Sequence, residues 1–111
     1  MSFEILTTPR FERDAKALAK RHRSLKNDLA LLIGSLSENP FQGDELTPGV
    51  RKIRMAIASK GRGKSGGARV ITYTVTVAEN NGRVYLIDIY DKVDYSTVDV
   101  AAIKAQLDGL A

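Results

Sequence analysis

Two strand-forming segments on either side of an Asn-Gly pair decide the fold of this chain. They occupy residues 68–90 and read ARVITYTVTVAENNGRVYLIDIY. Val, Ile, Thr and Tyr favour strands, and Asn81-Gly82 is a strong hairpin signal because both residues tolerate a positive φ. The pattern predicts two antiparallel strands, at residues 68–77 and 83–90, joined by a tight turn.

A third strand is predicted just upstream, over residues 50–58, where apolar and polar side chains alternate. Successive side chains of a strand point to opposite faces of the sheet. The apolar positions are Ile53, Met55 and Ile57. Lys52 and Arg54 share the other face with Ala56, so we expect both cations to point away from the helix-covered core.

The first half of the chain has helical spacing after a short strand at residues 3–6. Thr8 has the character of an N-cap, with Pro9 at the first helical position. Apolar side chains then recur at helical intervals as far as His22, which the pattern places on the apolar face as a structural histidine. A second helix follows from Ser24.

That second helix is expected to end at Asn39-Pro40, since a proline cannot continue it. A last helix is expected after the capping-box pattern at residues 96–99. The element order β-α-α-β-β-β-α defines an α+β fold, one domain over residues 1–111, with a helical hairpin packed on one face of a small antiparallel sheet. The expected core includes Leu18, Leu29, Leu32, Ile53, Met55, Ile57 and Val75.

Composition excludes several classes of protein. A chain of 111 residues is long enough for one modest core. It has no cysteine, which excludes a disulfide framework, a thiolate zinc site and a thiol nucleophile. It has neither an apolar leader at its start nor a stretch near the ~20 apolar residues of a membrane span. We therefore expect a cytoplasmic protein with no membrane partner.

Positive charge is concentrated in one part of the sequence. Residues 46–78 contain seven basic and no acidic side chains, whereas the rest contains ten basic and thirteen acidic ones. All of the excess positive charge, +4 overall, thus lies in this segment. Such a segment favours nucleic acid by displacing counterions from phosphates. A solvated surface or a dock for an acidic protein also fits.

The segment includes a glycine-rich basic run, SKGRGKSGG at residues 59–67, which we call the basic loop. Its glycines allow the backbone to approach a phosphate, and its cations supply charge. It is not a P-loop, because Ala58 stands where the first glycine is required and a strand follows in place of a helix. A flexible hairpin loop with no catalytic role is the alternative.

Alternation along the strands predicts one concave cationic surface. Its expected members are Lys52, Arg54, Lys64, Arg69, Tyr90 and Lys92. Arg69 is the exception, since strict alternation places it with Ile71 and Tyr73. We expect a bulge at the start of its strand to redirect it.

Three runs in this region resemble the HigB-like branch of the RelE/ParE toxin superfamily. They are GVRKIR at residues 49–54, SKGRGKSGGARVITY at 59–73 and YLIDIYDK at 85–92. The resemblance implies the toxin of a type II toxin–antitoxin system. Such a toxin enters the ribosomal A site, cleaves mRNA there, and is silenced by a cognate antitoxin, typically a helix-turn-helix protein.

The resemblance also implies site residues. The family's basic pair falls on Lys52 and Arg54, its arginine after the glycines on Arg69, and a basic residue beyond the closing strand on Lys92. Some RelE proteins use a tyrosine near the C-terminus, and this chain has Val98 there. Tyr90 or Tyr95 then takes that role, or the role is vacant.

Without a metal, RNA cleavage needs a base for the 2′-OH, cations at the phosphorus and an acid for the leaving oxygen. We assign Arg54 and Arg69 to phosphate stabilisation, and Lys52, Lys64 or Lys92 to proton transfer or binding. The basic loop's phosphate-binding residues are Lys60, Arg62 and Lys64.

No cofactor or metal is expected, since Asp88, Asp91, Asp94 and Asp99 form no recognised ligand motif and fit a surface role. Two other functions remain open. One is a ParE-type toxin that inhibits DNA gyrase without catalysis, and the other is a non-catalytic nucleic-acid-binding module.

Overall fold

The computed structural model describes residues 2–94 and 99–110, which form an α+β fold. The strands are β1 (Ser2–Thr7), β2 (Asp44–Thr47), β3 (Val50–Met55), β4 (Ala68–Ala78) and β5 (Asn81–Asp91). The helices are α1 (Pro9–Arg21), α2 (Leu25–Glu38) and α3 (Val100–Asp108), with one 3₁₀ turn at Ala58–Lys60. No helix in these two ranges is long and apolar enough to cross a membrane.

The strands form one sheet in the order β1-β5-β4-β3-β2. Three neighbouring pairs are antiparallel, but β1 runs parallel to β5, with Ser2 opposite Asn81 and Thr7 opposite Leu86. The expected antiparallel sheet is therefore wrong for this pair, and the sheet is mixed. The α1–α2 hairpin intervenes after β1, so no tight turn fixes the direction of that strand.

β2 was not predicted. It pairs antiparallel with β3 at the edge of the sheet, opposite Arg51 and Lys52. Its sequence, DELT, has neither apolar alternation nor the length that identifies a strand. The observed order over the described residues is thus β-α-α-β-β-β-β-α.

Helices cover both faces of the sheet, whereas the sequence predicted them on one. The α1–α2 hairpin packs on the face that includes Ile53, Met55 and Ile57, which are at most 5% exposed, as expected. Leu29 and Val75 are only partly buried. On the opposite face, Ile103 of α3 packs in a second cluster with Val50, Ile71 and Ile87.

Register explains why Arg69 needs no bulge. Val50, Lys52 and Arg54 of β3 pair with Tyr73, Ile71 and Arg69 of β4. Paired residues project to the same face, so all six share the face that α3 partly covers. The expected bulge at Arg69 is therefore wrong. The ladder instead shifts in β5, where Ile71 pairs with Asp88 and Thr72 pairs with Leu86.

Local signals at the element ends are partly confirmed. The Thr8 hydroxyl accepts a hydrogen bond from the Phe11 amide at 3.2 Å, as an N-cap does. The hairpin forms, but its turn is Glu79–Asn80, two residues before the Asn-Gly pair, with Asn80 at φ 60°. Asp99 caps α3, and Ser96 lies outside the described residues.

Candidate nucleic-acid interface

Three side chains lie side by side across the sheet, and we call them the cross-strand row. Arg54 of β3 pairs with Arg69 of β4, and Arg69 pairs with Tyr90 of β5. Neighbouring strands are about 5 Å apart, so the row spans about 10 Å. Lys52 lies on the same face, two residues before Arg54 in β3. The sheet thus brings together four of the predicted site residues.

The three residues of the row and the neighbouring Lys52 differ in exposure. Arg54 is exposed, Lys52 and Tyr90 are half-buried, and Arg69 is only 5% exposed. The exposed guanidinium of Arg54 is available for a bidentate contact with a phosphate group. Among these four residues, Arg54 is the one whose position agrees most directly with a phosphate-binding role.

Arg69 is engaged by the backbone beside it. Its Nη1 donates to the carbonyl oxygens of Lys64, at 2.9 Å, and Ala68, at 3.1 Å. Its Nη2 donates to the carbonyl oxygen of Ser65 at 3.4 Å. In this conformation the guanidinium ties the end of the basic loop to the start of β4. That arrangement supports the loop and was not foreseen from the sequence.

Tyr90 lies at the far end of the row. Burial raises the pKa of its phenol, the positive charge of Arg69 lowers it, and the negative charge of Asp88 raises it further. The balance is a pKa above the ordinary value. Tyr90 is therefore a neutral phenol at physiological pH, and its hydroxyl carries a proton.

The cations of the basic loop divide into two groups. Arg62 and Lys64 are exposed on the segment after the 3₁₀ turn. Lys60 is different: its Nζ lies 2.9 Å from Oδ1 of Asp91, and its side chain is 13% exposed. Of the three predicted phosphate-binding residues, two face solvent and one forms an ion pair inside the protein.

Lys92 follows β5 directly and is exposed. Its amide donates to the carbonyl oxygen of Gly67 at 3.0 Å, which places it next to the end of the basic loop. Gly67 fits there because it has no side chain: a Cβ would lie 2.1 Å from the carbonyl oxygen of Met55. Arg54, Arg62, Lys64 and Lys92 are thus exposed cations on β3, the basic loop and the residue after β5, at one end of the sheet.

The sequence did not identify Asp91 as a buried residue that contacts the basic loop. It was expected at the surface, but it is 1% exposed, so that prediction is wrong. Its carboxylate accepts from Lys60, from His22 Nε2 at 2.9 Å and from the Val93 amide at 3.1 Å. Alternation along β5 places Asp91 on the same face as the buried Ile89. This pattern was the sequence signal from which the burial of Asp91 could have been predicted.

Burial alone would raise the pKa of the Asp91 carboxyl. Hydrogen bonds from Lys60, the Val93 amide and His22, together with the charge of Lys60, outweigh burial and hold the pKa below its ordinary value. Asp91 is therefore ionised at neutral pH. His22, half-buried against it, has the structural position that the sequence predicted.

A cleft of about 370 Å³ lies between α1, β5 and α3. Its acidic lining residues are Asp14, Asp88, Asp91, Asp94 and Asp99, with Arg10 as its one lining cation among the described residues. This lining disfavours a polyanion, so we place a nucleic-acid interface at the exposed cations instead. No cluster of three or more His, Asp or Glu side chains in residues 2–94 and 99–110 could hold a metal ion.

A scan against models of known protein families finds none that matches this chain.

Proposed function

We propose that this protein is the toxin of a type II toxin–antitoxin system and cleaves mRNA in the ribosomal A site without a metal ion. The observation that supports the proposal most directly is the position of Arg54. It is exposed in the cross-strand row, at the same end of the sheet as Arg62, Lys64 and Lys92. An RNA backbone crossing that end would meet cations from several segments.

The proposed chemistry is transesterification. The 2′-oxygen attacks the adjacent phosphorus, the bond to the 5′-oxygen breaks, and the products are a 2′,3′-cyclic phosphate and a free 5′-hydroxyl. Negative charge grows on the phosphoryl oxygens in the transition state, where a fixed guanidinium stabilises it. Arg54 has this role, while Lys52, Lys64 or Lys92 serves in proton transfer or in binding the RNA backbone.

Tyr90 fits the acid of this reaction. Its phenol is protonated at neutral pH, and it lies in the row with Arg54. It would donate a proton to the leaving 5′-oxygen. Arg69 stays in the site as the residue that holds the carbonyl oxygens of Lys64 and Ser65, and so presents Lys64.

The proposal includes the cellular setting. The toxin acts in the cytoplasm, contacts ribosome and mRNA, and is silenced by a cognate antitoxin of the helix-turn-helix type. An acidic partner segment is the natural cover for a surface with this many exposed cations.

One observation favours the second candidate, a ParE-type toxin that binds DNA gyrase without catalysis. Arg69 already donates to three carbonyl oxygens, so the row offers one exposed guanidinium instead of two. A surface of that kind suits binding at least as well as chemistry.

Single-turnover cleavage of mRNA on programmed ribosomes separates the two functions. We expect cleavage within the A-site codon and fragments that end in a 2′,3′-cyclic phosphate. A gyrase supercoiling assay with the same preparation is the parallel measurement. Intact mRNA together with inhibited gyrase would replace the nuclease by the ParE-type function.

A further inference from the structure

The start of the basic loop is fixed to the rest of the protein by two buried aspartates. The first is Asp91 at the end of β5, whose carboxylate binds the Lys60 ammonium at 2.9 Å. The same carboxylate binds His22 Nε2 at 2.9 Å and lies 3.5 Å from Nη2 of Arg21. One side chain thereby joins the end of α1, the end of β5 and the 3₁₀ turn.

The second aspartate is Asp28 of α2, which is 8% exposed. Its Oδ2 accepts from the Ser24 hydroxyl at 2.7 Å and from the Ala58 amide at 3.2 Å. The Ser24 hydroxyl oxygen in turn accepts from the Ser59 amide at 2.9 Å. The 3₁₀ turn is therefore bound at Ala58, Ser59 and Lys60, each by a different contact.

The far end of the basic loop is held as well, by Arg69 and by the contact between the Lys92 amide and Gly67. Between the two ends lie Gly61 and Gly63, both with positive φ. The backbone from Gly61 to Gly63, together with the side chains of Arg62 and Lys64, is left to adapt to a ligand. Fixed ends reduce the entropy lost when such a segment orders on a substrate.

We propose that Asp91 and Asp28 are positioning residues that fix the start of the basic loop and so set where Arg62 and Lys64 meet a polyanionic backbone. The effect on cleavage rests on the proposed function, whereas the effect on the loop does not. Neither aspartate touches RNA. Each acts through the 3₁₀ turn, Asp91 by the ion pair with Lys60 and Asp28 by the Ala58 amide.

Two variants test this inference. Asp91→Asn keeps the shape and removes the charge that binds Lys60. Ser24→Ala removes the hydroxyl that links Asp28 to the Ser59 amide and leaves every charge in place. The matched control is Asp94→Asn: Asp94 is exposed and pairs with Arg21 at 3.0 Å, so this variant removes a neighbouring carboxylate charge while Asp91 keeps its own contact with Lys60.

The first measurement needs no RNA. Trypsin cuts after Arg62 and Lys64, and the cutting rate reports how often the loop leaves its bound position. We expect about tenfold faster cutting in Asp91→Asn, a smaller increase in Ser24→Ala and none in Asp94→Asn. Cutting after Lys16, in the middle of α1, reports global unfolding, and in every variant it is expected to stay much slower than cutting in the loop.

The second measurement is single-turnover mRNA cleavage over a range of ribosome concentrations. For Asp91→Asn we expect a rate about a hundredfold lower, since a misplaced group loses about this factor. The half-saturating concentration is expected to rise by only about threefold, because the freed loop loses more entropy on binding while every loop cation remains and the net charge rises by one. A purely structural role would lower the melting temperature without this separation of rate from affinity.

The outcomes are distinct. Unchanged trypsin protection in both variants, with intact folds, would overturn the inference, as would a released loop with wild-type cleavage. If Asp91→Asn does not fold, Ser24→Ala decides by the same two measurements. If the wild-type protein cleaves no mRNA, the proposed function fails, and the trypsin rates alone still confirm or reject the fixed loop.

Discussion

Arg54 and Arg69 are cross-strand partners, yet one guanidinium faces solvent and the other is buried against backbone carbonyls. Two arginines placed side by side repel each other unless each has its own source of compensation. Water supplies it for Arg54, and the carbonyl oxygens of the basic loop supply it for Arg69. The pair thus divides into an exposed cation and a structural one.

Arg54→Ala is expected to lower single-turnover mRNA cleavage by about a hundredfold to a thousandfold, the usual loss when one donor is removed from a preorganised site. The free energy of unfolding should change by less than about 0.5 kcal/mol, since the side chain is exposed. Arg83→Ala is the matched control, because Arg83 is exposed near the opposite end of β5, opposite Glu4. Equal cleavage by the two variants would exclude Arg54 from the site.

Arg69→Ala is expected to affect both stability and activity. It removes three hydrogen bonds from a charged donor, and the loss is about 1.5–3 kcal/mol in a urea melt. Arg69→Lys should restore only part of this, because an ammonium cannot reproduce the planar fork. A variant that melts like the wild-type protein would show that the carbonyl contacts contribute little.

Asp91 is expected to make stability depend on pH below the normal working range. Its folded-state pKa lies below the ordinary 3.8, so its contribution is present above the unfolded pKa and is lost as pH falls through the folded one. Asp91→Asn should cost about 3 kcal/mol at pH 7, because it breaks a buried pair. Urea melts should show this difference unchanged down to about pH 5 and smaller below 3.8. A difference that grows in acid would contradict the assignment.

Replacement of Asp88 by Asn should change stability at pH 7 in the direction opposite to replacement of Asp91. Burial raises the pKa of its carboxyl above 3.8, the charge of Arg10 lowers it, and the charge of Asp14 raises it. The folded state therefore disfavours the ionised form at neutral pH. In the wild-type protein the Ile89 amide donates to Oδ1 of Asp88 at 2.9 Å. Asp88→Asn keeps an oxygen for this hydrogen bond and should raise the melting temperature at pH 7. The gain should shrink as pH falls through the raised pKa, where wild-type Asp88 becomes neutral in the fold.

Two glycine substitutions should have opposite effects. Gly67→Ala forces a Cβ to within 2.1 Å of the Met55 carbonyl oxygen and 2.9 Å of the Ala56 Cα, so β3 and β4 must separate. We expect a loss of about 2–4 kcal/mol, as for other overpacked backbone contacts. Gly34→Ala, in α2 with nothing within 4 Å, should instead stabilise by about 0.5–1 kcal/mol. Thermal melts of both variants measure the signs directly.

Local signals in the sequence were sufficient for most of the elements. Thr8 and Pro9 identified the start of α1, and alternation placed Ile53 and Met55 in the core. The parallel pairing of β1 with β5 could not be predicted in this way, because no local pattern states which distant strand is the neighbour. The covering of the second face by α3 could not be predicted either. The sequence pattern marks Ile71 as a buried residue but does not indicate which helix covers it.

The sequence predicted most residues of the candidate site, but not the partners that those residues contact in the folded protein. Charge and alternation identified Lys52, Arg54 and the basic loop. They did not reveal that Arg69 donates to carbonyl oxygens or that Lys60 binds Asp91. Both facts depend on which groups surround a cation after folding. A basic residue in a sequence reads the same whether its partner is a phosphate, a carbonyl oxygen or a buried carboxylate.

The parallel pairing of β1 with β5 also sets an order of events during synthesis. β1 leaves the ribosome well before its partners, Asn81 to Leu86, which are translated only after α1, α2 and three further strands. Until then Phe3 has no β5 to pack beside, and the row that includes Tyr90 has no third member. Such non-local pairing folds late and slowly. Vectorial translation thus delays completion of the cationic surface until β5 and Lys92 have been made.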